Sequence, residues 1–529
     1  MSTALRRWRL EPLALVGVLA AIWLIAAPRT ADLAAQVYRS ELFAREGFAI
    51  WDNAWFGGHH LPGYSLVFPS ISGLIGPRTV GVLAVAASAL LFAEIMRRHA
   101  APRGHLAALW FAMIVAGDLY IGRLTFALGI AIALGAVLAL MRGRYAWGAA
   151  LAAAAAAASP VAGLFLGLGV LAALSRLPPR WRGVVFAAPL VVVLALALVF
   201  PEGGRQPYDL AAALLGLTVT VTVFFLLDPA RRTLRRGVAL YAIAVAAAYL
   251  IPSPMGSNAA RLGVLFAGPL LLIGLRSDVN RRLVAGVCAV LVAWQLAAPV
   301  SEVFKARAGV AATKADYFAP LLDFLAANGA HAGRVEVVPT ATRWESVYVA
   351  RRFALARGWE TQLDRGYNAL FYKRRLSAGR YERWLRDSGV RFVALADTPK
   401  ERWGRQEERL LRRSVSFLTP AWRNRHWRVF AVRDPRPMVT GGTLARLSST
   451  GFRVRLSPAG VARVRVRYTP FWSVAWPACA RPTADGFTVI ASRGGAVVDV
   501  RARWSLRAPP LRAGSCGRLA DAPQRRATR

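Results

Sequence analysis

Asp32 follows closely on an apolar run that ends near Ala27. A carboxylate just beyond a membrane-length apolar stretch must be solvated, paired or bound to a cation. Farther on, Asp52 precedes the adjacent residues His59 and His60 in a segment rich in Gly and Pro. These three would serve as substrate contacts, or the histidines as a solvated or hydrogen-bonded loop pair; a metal site would need three or four converging ligands, and two adjacent histidines are a weak signal for one. Arg123 and Arg261 each stand alone beside a long apolar run. A guanidinium suits bidentate binding of phosphate, although the same placement suits a simple interfacial anchor. Asp118, Tyr120 and Asn258 lie close to them in the chain and would complete a polar rim. Asp118 and Arg123, five apart, would also pair with each other across a turn.

The elements that must position these groups are apolar helices. Of the 529 residues, 56% are hydrophobic, more than a water-soluble domain can cover. Runs of Ala, Leu and Val fill the chain from Leu13 to Val300, and after that point they shorten and interleave with Arg. A bilayer core takes about 20 apolar residues as helix. The runs predict about eleven spans, near 12–28, 79–96, 104–118, 124–141, 145–158, 160–175, 184–200, 209–227, 237–251, 259–275 and 282–299. Ser159-Pro160 breaks an Ala-rich pair that would turn fully or re-enter. Arg6, Arg7 and Arg9 precede the first run, which lacks an A-x-A cleavage pattern and reads as an uncleaved helix. Arginine clusters recur in every second loop (Arg97, Arg98 and Arg103; Arg142 and Arg144; Arg231, Arg232, Arg235 and Arg236). By the positive-inside rule these loops and the N-terminus are cytoplasmic, and an odd number of spans puts the C-terminal region outside.

The first outer loop, 29–77, is the long one. Leu33, Val37, Leu42 and Phe43 recur in it at helical spacing between charged residues, the pattern of an amphipathic helix at the bilayer surface. An acidic residue directly after the first span, this loop, "ADLAAQVYR" and "WDNAWFGGHHLPGYS" together resemble the GT-C glycosyltransferases and related bacterial membrane proteins. The later pieces "GDLYIGRLTFALG" and "SNAARLGVLFAGP" are similar to polar helix ends around the outer cavity of such proteins. The resemblance covers about the first 300 residues. It implies a GT-C-like fold and transfer of a sugar from a polyprenyl-phosphate donor to an envelope glycan, lipid or protein. It also implies a loop acid, here Asp32, as general base or as holder of the acceptor and a divalent cation (Mg or Mn). Where many relatives carry two adjacent acids, Asp32 stands between Ala31 and Leu33. Two other functions stay open: a non-catalytic envelope-assembly protein of the same fold, and a transporter or flippase, for which no repeated halves are visible.

The expected organisation is a polytopic α-helical membrane domain (1–300), an extracytoplasmic α/β domain (301–436), a β-sandwich-like module (437–510) and a disordered tail (511–529). "YFAPLLDFLAANG" and "YERWLRDSG" read as helices ending at Gly, and "RVEVVPT" and "VRFVALAD" as strands. "FRVRLS", "ARVRVRYTPFW", "GFTVIAS" and "AVVDVRARWSL" alternate with period two. The aromatic- and charge-rich stretch from Thr342 to Tyr372 reads as a sugar-binding surface or a domain interface. The net charge of +40 comes without any nucleic-acid-binding motif, so anionic lipid is the expected partner and nucleic acid is not. Cys479 and Cys516 would form a disulfide outside the cell or remain separate thiols; Cys288 sits in an apolar run. The predicted location is a bacterial inner membrane, with several passes.

Overall fold

The computed structural model describes residues 3–99, 103–492 and 495–504. Cys516 and the expected tail lie outside them. The chain divides into two compact units, one of Met1–Ala44 with Pro62–Ala308 and the other of Arg45–Leu61 with Gly309–Arg529. The long outer loop is therefore shared, and its tip is built into the C-terminal unit.

The first unit is helical: α1 (Thr3–Ala26), α2 (Ala31–Glu46), α3 (Phe68–Ile75), α4 (Pro77–Arg98), α5 (Gly104–Ile121), α6 (Leu124–Met141), α7 (Tyr145–Ala158), α8 (Pro160–Ala172), α9 (Pro179–Val199), α10 (Leu210–Leu226), α11 (Arg232–Leu250), α12 (Ala260–Gly274) and α13 (Arg281–Ala308). All eleven expected segments are helices. Among the described residues seven are long and apolar enough to cross a membrane, α4, α5, α6, α9, α11, α12 with the turn before it, and α13. The pair α1–α2, bent by 81°, would supply an eighth, while α7, α8 and α10 are apolar but shorter. By length and composition, seven or eight of the eleven helices suit a membrane span, as befits a multi-pass membrane protein.

Small residues let these helices meet closely, as suits association in lipid. A Cβ on Gly163 would fall 2.5 Å from that of Ala156, and one on Gly129 would fall 2.7 Å from Ser159 Cβ. Ser159 caps α8 from the preceding turn by accepting from Ala162 N, and Pro160 takes a first-turn position where no N–H is missed. Polar ties are few. The Trp110 indole donates to Gln295 Oε1 at 2.7 Å, and Gln295 Nε2 donates to Val264 O at 2.7 Å, joining α5, α13 and α12.

The helix α2 differs from the expected surface helix. Leu33 and Leu42 are buried, but so are Gln36, Arg39 and Ser40, so its polar stripe faces protein. Gly73 of α3 makes room for Phe43 and the Ser40 carbonyl, and the Ser40 and Ser72 hydroxyls lie 2.6 Å apart.

The second unit holds four sheets among its described residues. β1 (Trp51–Asp52) and β2 (His59–His60) pair antiparallel at the loop tip. β3 (Arg334–Val337) and β4 (Val390–Ala396) pair in parallel, and β5 (Leu418–Arg423) and β6 (Trp427–Val432) extend them antiparallel in the order β3-β4-β6-β5. α14 (Ala315–Ala327), α15 (Glu345–Tyr348), α16 (Thr361–Tyr367), α17 (Ala378–Asp387) and α18 (Gly404–Leu411) accompany this sheet. Gly329 and Gly389 follow α14 and α17 at positive φ, as left-handed C-terminal caps. The remaining strands are β7 (Val439–Thr440), β8 (Gly442–Ser448), β9 (Gly451–Leu456), β10 (Val461–Arg467), β11 (Trp472–Val474), β12 (Cys479–Pro482), β13 (Phe487–Ala491) and β14 (Val497–Ala502). They form two four-stranded antiparallel sheets, β12-β13-β10-β7 and β11-β14-β9-β8. Val454, Val464, Val466, Ile490 and Val500 are fully buried there, the inward half of the alternation.

Candidate functional site

In the helical unit the α1–α2 elbow is held against the turn between α5 and α6. The Thr30 hydroxyl donates to Ile121 O at 2.9 Å. α5 ends with Gly122 at φ 92°, and the N–H groups of Gly122 and Arg123 both donate to Asp118 O at 2.9 Å. A Cβ on Gly122 would fall 2.4 Å from Leu33 N, so only glycine lets this turn lie on the start of α2. The contact brings Asp32 Oδ2 to 3.4 Å from Arg123 Nε, with both side chains about a quarter exposed. Asp118 is 5% exposed, and its Oδ2 has no hydrogen-bond partner among the described residues.

Arg261 approaches from the first turn of α12. Tyr241 of α11 fixes that turn, donating to Ala259 O and accepting from Gly263 N, each at 3.1 Å. Its hydroxyl and Trp294 press close enough that a Cβ on Gly263 would meet them at 2.7 and 3.0 Å. The Arg261 guanidinium lies over the Phe126 ring at 5.2 Å. Asp32, Asp118, Arg123 and Arg261 stand within electrostatic reach of one another.

Tyr64, Gln36, Arg39 and Thr125 complete the cluster and were not anticipated. Gln36 Nε2 donates to Tyr64 OH at 2.8 Å, and Thr125 donates to Gln36 Oε1 at 2.5 Å. Arg39 stacks on the Tyr64 ring at 3.8 Å. Burial raises the Tyr64 phenol pKa, with Arg39 opposing and Asp32 adding to the rise. The signal was present in "PGYS" and in polar residues repeating every three or four positions along α2, but it read as the wet face of a surface helix.

Next to this cluster lies an apolar cavity of about 210 Å³ between α8, α10, α11 and α12. Phe165 lines it and meets Phe126 edge-on at 6.1 Å; Leu262 and Gly263, adjacent to Arg261 in the chain, line it too. Ring contacts thus link Arg261 through Phe126 to Phe165, a residue of the cavity wall.

The other expected site residues make contacts of their own. Tyr120 donates to Leu19 O at 2.7 Å, tying α5 to α1, and Asn258 Nδ2 donates to Pro254 O at 3.1 Å in its own turn. Asp52, His59 and His60 belong to the second unit and are buried. Asp52 Oδ1 accepts from Ala54 N at 3.0 Å, and His60 Nε2 lies 3.0 Å from Thr469 Oγ1. His59 stacks on Trp55 at 5.5 Å, while His60 meets Trp51 edge-on at 4.8 Å. Gly58, at φ 125°, leaves space that the Trp51 ring enters. The histidines are thus core residues of the loop tip. Among the described residues no three His, Cys, Asp or Glu side chains group to hold a metal ion. Asp32 faces the Arg123 guanidinium, and Asp118 stands within electrostatic reach of both.

Thr342–Tyr372, read as a sugar-binding surface or a domain interface, contributes Arg357, Asp364, Asn368 and Tyr372 to a buried charge network. Arg357 forks onto Asp364, with Nη2–Oδ2 at 2.5 Å, and reaches Glu407 at 3.3 Å and Glu336 at 3.8 Å; all four side chains are at most 2% exposed. Tyr372 and Asn368 donate to Asp364, and Tyr381 donates to Glu407. Burial pushes Glu407 up to about 7 against the pull of Arg357. Burial, with Glu407 beside it, raises Glu336 well above the carboxylate range. Arg357 and three hydrogen bonds hold Asp364 low in spite of burial.

The chain is similar to the arabinofuranosyltransferase AftD from mycobacteria, at 17% identity and a TM-score of 0.45, over 81% of this chain and 40% of that one. Two structures of a variant of that protein match at 18% and 17% identity, with TM-scores of 0.43 and 0.45, over 82% and 85% of this chain and 42% of theirs. The chain spans about two fifths of the length of these structures. No protein-family model and no curated protein sequence matches it.

Proposed function

We propose that the chain is a membrane glycosyltransferase of the GT-C type, moving a sugar from a polyprenyl-phosphate donor to a cell-envelope acceptor on the extracytoplasmic face of a bacterial inner membrane. What supports this reading is the Asp32–Arg123–Arg261 cluster, with ring contacts leading from Arg261 through Phe126 to Phe165 in the wall of the apolar cavity. A polyprenyl-phosphate sugar has the same two-part character. Its phosphate suits the guanidiniums of Arg123 and Arg261, and its isoprenoid chain suits the cavity.

In the reaction, the acceptor hydroxyl loses its proton to Asp32 as its oxygen attacks the anomeric carbon. The bond from that carbon to the phosphate oxygen breaks, and the polyprenyl phosphate leaves with the electron pair. The arginines stabilise the charge that builds on the leaving phosphate. Arg39, Gln36 and Tyr64 hold α2, and with it Asp32, in place. The second unit would serve acceptor recognition.

The test is sugar transfer from a radiolabelled polyprenyl-phosphate donor pool in reconstituted membranes, comparing wild type with Asp32→Asn. Transfer by wild type and a loss of at least about 100-fold in a folded variant is the expected result. Stable insertion of both proteins without transfer from any donor would favour an envelope-assembly role.

A further inference from the structure

The second unit contains a separate cavity of about 650 Å³, lined by Arg45, Glu46, His331, Arg351, Arg352 and Arg446 among others. Arg45, Arg351, Arg352 and Arg446 are all exposed, and they outnumber the one lining carboxylate. Their convergence is built from distant parts of the chain. Arg45 ends α2, Arg351 and Arg352 follow α15, and Arg446 lies on the edge strand β8. At Leu444–Arg446 the β8–β9 register shifts, and such a bulge re-aims the side chains around it.

The floor is braced by hydrogen bonds. Asn53 N donates to Ser449 O at 2.6 Å, and Asn53 Nδ2 donates to Ser448 O and Gly451 O at 3.0 and 3.1 Å. Asn53 Oδ1 accepts from the Trp51 indole at 2.7 Å, and Leu355 N donates to Ala54 O at 2.8 Å. The loop tip therefore ties the β8–β9 hairpin to the α/β sheet and sets the distance between their arginines.

We propose that this cavity binds an anionic oligosaccharide, with the four arginines pairing to carboxylates or phosphodiesters spaced along it. The volume falls in the range of about 300–1,000 Å³ typical of small-molecule sites and exceeds what one phosphate fills. Phe353, Leu444 and Leu447 are the large apolar side chains of the lining, too few for an acyl chain. The His331 ring, exposed and set 4.5 Å from Phe353, offers a flat face for a sugar. The binding does not depend on whether the helical unit transfers a sugar.

The full chain in detergent, titrated calorimetrically, tests this. The probes are tetragalacturonate, a glycerol-phosphate tetramer, neutral maltotetraose, inorganic phosphate and dioctanoyl-phosphatidylglycerol. The expected result is salt-sensitive binding of at least one anionic tetramer, with none of maltotetraose. Which tetramer binds identifies carboxylate or phosphodiester as the recognised group. The Arg352→Gln/Arg446→Gln protein should bind it at least about tenfold more weakly, whereas Arg383→Gln, at an exposed position of α17 outside the cavity lining, should match wild type. Equal affinity in the double variant and wild type, with both equally resistant to proteolysis, would overturn the proposal. So would phosphate binding as tightly as the tetramers, or binding of the lipid and of neither tetramer.

Discussion

Raising the pH from about 4.5 to about 7 is expected to loosen the α/β sheet of the second unit. Glu407 is fully buried beside Arg357, Asp364 and Glu336, and burial pushes its carboxyl up to about 7 from the 4.5 of a free glutamate. The folded state then binds more protons than the unfolded state across that window, so stability falls as pH rises through it. At about 1.4 kcal/mol per tenfold change in proton affinity, the difference is a few kcal/mol in order of magnitude, present below about pH 4.5 and lost as pH rises through about 7. Glu336, raised further, extends the same slope upward, while Asp364, held low, acts in the opposite sense only at more acidic pH. Amide hydrogen exchange of the central strand β4, corrected for intrinsic rate at each pH, reads this in the intact chain. Glu407→Gln keeps an acceptor for the Tyr381 hydroxyl, which lies 2.7 Å from Glu407 Oε1, and removes the titrating proton. Its β4 protection should therefore be flatter between pH 4.5 and 7. Parallel curves for the variant and wild type would refute the assignment of that slope to Glu407.

Arg357→Met should destabilise the α/β sheet by about 3–5 kcal/mol, because it leaves the ionised, buried Asp364 without its countercharge; urea-dependent exchange at β4 measures it. Gly122→Ala should separate Asp32 from Arg123 through the clash with Leu33 N and the strain of φ 92°, costing about 1–3 kcal/mol and lowering transfer while leaving insertion intact. Arg261→Lys should lower transfer about tenfold or more by losing the bidentate fork, with the loss read in kcat/KM for the donor. His59→Ala should weaken the second unit by about 2–4 kcal/mol through the cavity left beside Trp55, visible as faster proteolysis, with no direct loss of sugar-transfer chemistry at a permissive temperature.

Several features were legible from local chemistry. Apolar runs mark helices because the backbone must satisfy its own hydrogen bonds in lipid, so every expected span appears as one. Alternation along β9, β10, β13 and β14 marked those strands because a pleated sheet presents alternate residues to its core. The shorter β7, β11 and β12, and β5 and β6 with their mixed exposure, carry no comparable pattern. Asp32, Arg123 and Arg261 were visible as charges that apolar surroundings oblige to find partners.

Other features required contacts between residues far apart in sequence. Whether His59 and His60 point at a ligand or into a core depends on Trp51, Trp55, Phe471 and Thr469, and no spacing around the histidines encodes those neighbours. Arg357 collects acids from 336, 364 and 407 because β3, α16 and α18 pack together. The polar face of α2 looks the same in sequence whether it meets water or Tyr64 and Thr125. The sequence by itself determined the membrane helices and the charges that cannot be left alone. The tertiary structure decided which of those charges meet, because burial and pairing depend on close three-dimensional approach.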